Sequence, residues 1–197
     1  MKKLRGFTLI ELMVVIAIVA ILAALAAPSF SSIMVKSNVS SAVNTFMADM
    51  RFARSEAVRR GGAVIMCRSD APEAASPVCN TDDGPGGNGW VSGWIIFEDR
   101  DASLNRNTGD QLLRVQGPIT SLDTILEGSS GSTKFQFTAM GRMKSLNSAT
   151  SLRFGTFASL SNSTAQSLQR RLCINQSGRV RIVGDGSITA CVSSTDR

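Results

Sequence analysis

The sequence predicts an α+β chain: one long N-terminal helix, half membrane anchor and half amphipathic, packed on an all-β antiparallel head. Three observations carry this. The run from Phe7 to Ala27 is apolar apart from Thr8 and Glu11. From Val39 to Val58 the apolar residues recur at three- and four-residue steps, the period of a helix with one buried face. After Gly61-Gly62 the pattern changes to short runs of branched and aromatic residues between Gly, Ser and Asn turns, which is the pattern of strands. The 197 residues therefore divide into a basic leader (1–6), a membrane-spanning helix (7–27), an amphipathic continuation (28–61) and a β-rich head (62–197).

The first helix is expected to span a membrane. Phe7 to Ala27 gives about 31 Å of helix, enough for a bilayer core. Within it Glu11 is anomalous. A carboxylate there costs roughly 2.5–3.5 kcal/mol on insertion scales and is usually retained for a function. An ordinary secretory signal peptide is one alternative, with Ala24-Leu25-Ala26 as its cleavage site. Against it stands the apolar run Leu12–Ala27, whose 16 residues exceed the ~7–15 of a signal core. A plain single-pass anchor explains neither Glu11 nor Gly6-Phe7. Lys2, Lys3 and Arg5 keep the leader cytoplasmic and place the remainder outside the inner membrane, in the periplasm or beyond.

In the amphipathic half, Val39, Val43, Phe46, Met47, Met50, Ala53, Ala57 and Val58 form the stripe expected to pack on the head. Arg51, Arg54, Arg59 and Arg60 fall mostly on the solvated side, and Gly61-Gly62 ends the helix. Strands are expected at Ala63–Arg68, Trp90–Phe97, Leu112–Val115, Lys134–Thr138, Leu152–Phe157, Leu172–Asn175 and Val180–Val183. Gly141 and Gly178, each followed by an arginine, read as hairpin turns, while 70–89 and 99–110 read as long loops. The polar, low-complexity patch at 159–167 reads as another loop.

Four cysteines in an exported head suggest two local disulfides, Cys67–Cys79 and Cys173–Cys191, although four cysteines allow three pairings. No C-x-x-C pair and no histidine are present, which argues against zinc and against Ser-His or Cys-His catalysis. No catalytic residues, metal ligands or cofactor are expected, and the chain is read as a non-enzyme. The loop Asp99–Asn105 has a faint calcium-loop pattern but lacks the Gly and closing Glu of an EF-hand.

The net charge of +6 is segregated. Residues 70–133 sum to −7, whereas residues 134–197 sum to +7. Removal of the leader would leave about +3 by side-chain count. The basic C-terminal third is thus the distinctive surface.

The basic leader, Gly6-Phe7, Glu11 and the long apolar helix together resemble the class III signal of type IV pilins and pseudopilins. The resemblance implies cleavage by a prepilin peptidase after Gly6 and methylation of the new Phe7 amine. That amine would pair with Glu11 of a neighbouring subunit in a filament, and Pro28 falls where pilin helices commonly bend. The head resembles the GspH/FimT family of minor pilins and pseudopilins. The resemblance rests on Arg54-Ser55-Glu56-Ala57, Val64–Arg68, Gly89–Phe97, Leu112–Val115, Phe135-Gln136-Phe137 with Gly141-Arg142, and Leu172-Cys173-Ile174 with Ser177–Arg181.

Gly178-Arg179-Val180-Arg181 is similar to the GRxR element of FimT-type pilins linked to DNA uptake. On a strand, Arg179 and Arg181 share one face and are spaced to hold successive phosphates of double-stranded DNA without reading sequence. Arg142, Lys144, Arg170 and Arg171 would widen this patch if the two hairpins lie side by side. No aromatic residue interleaves with these arginines, so a stacking platform for single strands is not supported. Two function classes remain. One is a DNA-binding minor pilin for natural transformation. The other is a structural subunit, either priming pilus assembly or acting as a GspH-like pseudopilin in type II secretion.

Overall fold

The structure, a computed structural model, describes residues 7–128, 133–144, 150–155, 166–184 and 191. Side chains of 25–29, 31 and 150 lie outside that set. So do the leader at 1–6, with Gly6 of the expected cleavage, and the 159–165 part of the polar patch.

Helix α1 spans Leu9–Arg60 and runs without interruption through Pro28. Thr8 caps its start in a reciprocal box. The Thr8 hydroxyl accepts the Glu11 N–H at 3.3 Å, and Glu11 Oε2 accepts the Thr8 N–H at 3.1 Å. This satisfies two of the unpaired groups at the helix end. At the other end Gly61 takes the left-handed conformation (φ 64°) and donates its N–H to Ala57, the expected stop. The side chains from Phe7 to Ala24 are exposed in the isolated chain. Among the described residues no helix is long and apolar enough to cross a membrane.

The head contains nine described strands in two antiparallel sheets. The first sheet has the order β3-β2-β1-β5-β6, with β1 Val64–Arg68, β2 Trp94–Glu98, β3 Gln111–Gln116, β5 Lys134–Phe137 and β6 Met143–Lys144. The second has the order β4-β7-β8-β9, with β4 Ile125–Glu127, β7 Thr150–Phe154, β8 Arg170–Ile174 and β9 Val180–Ile182. Helix α1 packs against β1 and β5 of one sheet and β7, β8 and β9 of the other. The expected α+β architecture is therefore the observed one.

The core forms where helix and sheets meet. Phe46 sits at its centre, with its ring edge-on to Trp90, Trp94, Phe135 and Phe154 at centroid distances of 5.4, 5.1, 6.2 and 5.8 Å. Val39, Val43, Met50, Ala53 and Ala57 are buried as the stripe predicts, and Met47 packs partly against them. Val58 is a correction. It is exposed, because it lies on the helix face of Arg51 and Arg54, about 100° round from Ala57, which stays buried.

Helix and first sheet are also clasped by a polar contact. Asp49 is buried; it accepts the Trp94 indole N–H at 2.8 Å and an Arg114 N–H at 2.6 Å. The Arg114 guanidinium lies 3.9 Å over the Phe52 ring. Arg60 reaches from the helix end to Glu98 of β2 at 2.6 Å.

Strand β1 is buried on both faces, which explains the apolar run Val64–Cys67 before its terminal Arg68. One face meets α1. On the other, Ile65, Cys67, Ile95 and Phe97 form a small second core, against which Cys79 and Leu112 pack. The Cys67–Cys79 disulfide ties the following loop over it. Cys173 pairs with Cys191, so both local disulfides are present in the structure. Two expectations shift. Trp90–Ser92 is a 3-10 turn and not the start of a strand, because Gly89 and Gly93 take positive φ on either side of it. Strands β4 and β6 lie outside the expected runs: three and two residues are too few to show a period.

Candidate nucleic-acid interface

The two predicted hairpin turns meet. Gly141 follows β5 and Gly178 follows β8, both in the left-handed region (φ 68° and 74°). A Cβ built at Gly178 would lie 2.6 Å from the Gly141 carbonyl oxygen, so the close approach admits only glycine there. The Met143 N–H donates to the Gln176 carbonyl at 3.1 Å and joins the two hairpins. The two sheets are thus stitched together at the end of α1, and the arginines after each glycine come to one region.

In the second hairpin, Asn175 donates its N–H to the Arg179 carbonyl at 3.1 Å, which carries the ladder one residue beyond β9. Val180 between the two arginines packs toward the core. Alternation therefore gives Arg179 and Arg181 a common face. Arg179 is exposed and Arg181 is half-buried, opposite Cys173 in the ladder. Arg142 and Lys144 are exposed, Lys144 on the neighbouring edge strand β6 and Arg142 just before it.

The other two basic residues differ from expectation. Arg171 is buried and donates to the Ser151 hydroxyl at 2.9 Å. Burial, with Arg153 across the ladder, pushes its guanidinium below the usual range. Core-facing Leu172 beside it puts Arg171 on the opposite face of β8, the face of Cys173 and of Arg181 across the ladder, where it is buried instead of open to solvent. Arg170 is half-buried and donates to the carbonyls of Ser167 and Gln169 at 3.1 and 2.8 Å.

A cleft of about 600 Å³ opens beside this region. One wall is the last turns of α1, with Arg51, Arg54, Val58 and Arg59; the other is Gly178–Val180. Arg59 is bonded to Glu56 at 2.6 Å. Among the described residues Arg51, Arg54, Arg142, Lys144 and Arg179 make no ion pair. The sequence places Arg51 and Arg54 mostly on the solvated face and gives them no role. Their three-residue spacing, which puts them on one helix face, was the available signal.

The acidic loops behave differently. Asp99, Asp101 and Asp110 bring one oxygen each within 4.8 Å of one another. Their acceptors are used by the loop itself. Asp99 takes the N–H groups of Ser103 and Leu104, and Asp110 those of Arg100 and Asn107, at 3.0–3.3 Å. Burial raises the Asp99 pKa above its ordinary range. Buried Arg68 is bonded to Asp70 and Asp82, which fastens the preceding loop.

At the other end of the chain Phe7 is exposed and Glu11 lies in the first turn of α1, bonded to Thr8. Its carboxylate caps its own helix.

Comparison with known proteins agrees with this architecture. Residues 42–178 match the family model described as type II transport protein GspH. Residues 1–27 match the prokaryotic N-terminal methylation motif. The type IV minor pilin FimU of Pseudomonas aeruginosa (strain PAO1) is similar in structure. Its P21 crystal form gives a TM-score of 0.54 at 18% identity, over 78% of this chain and 93% of that one. Its P65 form gives 0.50 at 20% identity, over 77% and 96%. At these identities the likeness shows the fold. Among curated proteins none matches the sequence. A family match over well over half of the chain, a methylation motif at its start and a pilin fold agree: the chain belongs to the GspH family of pilin-like proteins.

Proposed function

We propose that this protein is a minor type IV pilin that binds double-stranded DNA, without sequence preference, for uptake in natural transformation. The observation that carries the reading is the exposed Arg179, brought to the same region as Arg142 where the two hairpin turns touch. Arg181 and Lys144 extend the same basic region. Arginine forks suit phosphate oxygens and carry no sequence information. The N-terminal methylation motif and the family match support the remainder of the reading. A prepilin peptidase cuts between Gly6 and Phe7, Phe7 is methylated, and α1 anchors the subunit in the inner membrane with its head in the periplasm. The subunit then joins other pilins in a filament, where Glu11 pairs with a neighbour's Phe7 amine. No step in this reading requires this chain itself to act as an enzyme or to hold a cofactor.

The family description favours a second reading, a structural subunit of a pilus or of a type II secretion pseudopilus. The two separate in cells. Replacing Arg179 and Arg181 together by Gln should lower transformation strongly while protein level and filament formation stay normal. Unchanged transformation would refute the DNA reading. Loss of filaments or of secretion would support the structural one.

A further inference from the structure

We infer that the cleft between α1 and the β8–β9 turn is a second phosphate-binding element, in which Arg51 and Arg54 hold the DNA backbone as it leaves the hairpin. This rests on the DNA reading above and extends it to residues on a different element.

The cleft is walled by guanidinium groups on both sides, Arg51 and Arg54 from the helix and Arg179 from the turn. Neither helix arginine is offset by a carboxylate among the described residues. Without an anion, like charges in a concave site repel; an anion placed between them removes that repulsion. The volume of about 600 Å³ suits a sugar-phosphate segment of one strand and is far too small to engulf a duplex. The occupant is therefore one backbone of a duplex lying across the opening.

The site is also built in advance. The Arg54 side chain lies along both glycine turns. Cβ atoms placed at Gly141 and Gly178 would be 3.0 Å from its Nε and 3.6 Å from its Cδ, respectively. Packed glycines thus hold the Arg54 stem beside the turn that carries Arg179, which reduces the entropy lost on binding. Arg51 lies one turn away on the same face.

The test uses the full processed chain in detergent micelles and a short duplex, with affinity measured against salt. Each phosphate contact contributes about −0.9 to the slope of log affinity against log salt. Replacing Arg51 and Arg54 together by Gln should flatten the slope by about 1.8. With the 1 M intercept unchanged, affinity at 0.1 M salt should fall about 60-fold. Ser55→Glu, at an exposed position lining the same cleft, should weaken binding with all arginines in place. It also guards against a folding defect in the double variant. An unchanged slope and affinity in both variants, with binding still lost on replacing Arg179 and Arg181, would overturn the cleft and leave the hairpin reading standing. Absence of wild-type binding at low salt would overturn both.

Discussion

Asp49→Ala tests the link between the long helix and the first sheet. Asp49 is 4% exposed, and Trp94, its partner, is fully buried. Removing the carboxylate leaves the indole N–H buried without an acceptor. A hydrogen bond to a charged group is worth about 1.5–3 kcal/mol, and a buried unsatisfied donor costs about 1–3 kcal/mol. The small cavity left behind adds to the cost. Arg114 is 42% exposed on its side chain and recovers solvation, so its ion pair adds little. The expected loss is about 2–4 kcal/mol. At ~2–4 °C per kcal/mol for a head of this size, Tm falls by about 4–16 °C. Asp49→Asn keeps an acceptor for the indole and should lose roughly half as much. Thermal and urea unfolding of the full chain measure both. A loss under about 1 kcal/mol for Asp49→Ala, or equal losses for Ala and Asn, would refute the reasoning.

The remaining predictions concern pH and the anchor. Arg59 and Arg60 hold the Glu56 carboxyl down, from 4.5 to about 2. A lowered carboxylate stabilises the fold above its unfolded pKa, and that contribution is lost as pH falls through the folded one. Stability measured from pH 4.5 to about 2 should fall less steeply for Glu56→Gln than for wild type; parallel curves would contradict the pairing. Glu11→Ala should leave the head folded, since among the described residues its side chain is hydrogen-bonded to Thr8 in the helix's own first turn, and should lower incorporation into filaments. Normal incorporation would show that the carboxylate is only a helix cap.

Much of the fold was legible because its signals are periodic. The stripe from Val39 to Ala57 follows the helical step, and Phe46 within it became the centre of the core. Gly61, Gly141 and Gly178 were readable as stop and turns because only glycine accepts their φ without cost. What escaped was short or tertiary. Strand β4 has three residues and no period. Asp49 sits among core residues of the stripe and reads as a polar interruption until Trp94 and Arg114 supply its partners. Arg171 and Arg179 have the same composition signal and share a sheet face, yet one is buried and the other exposed, which alternation alone does not report. Arg51 and Arg54 gained a candidate role only once β8–β9 folded back against α1.

The salt dependence of DNA binding by the full processed chain tests the central claim most directly. Arg142, Lys144, Arg179 and Arg181 offer four phosphate contacts, and Arg51 with Arg54 make six. Measurable affinity for a duplex of any sequence is expected, with a log–log slope between about −3.6 and −5.4. A slope shallower than about −2, or no binding at low salt, would contradict it.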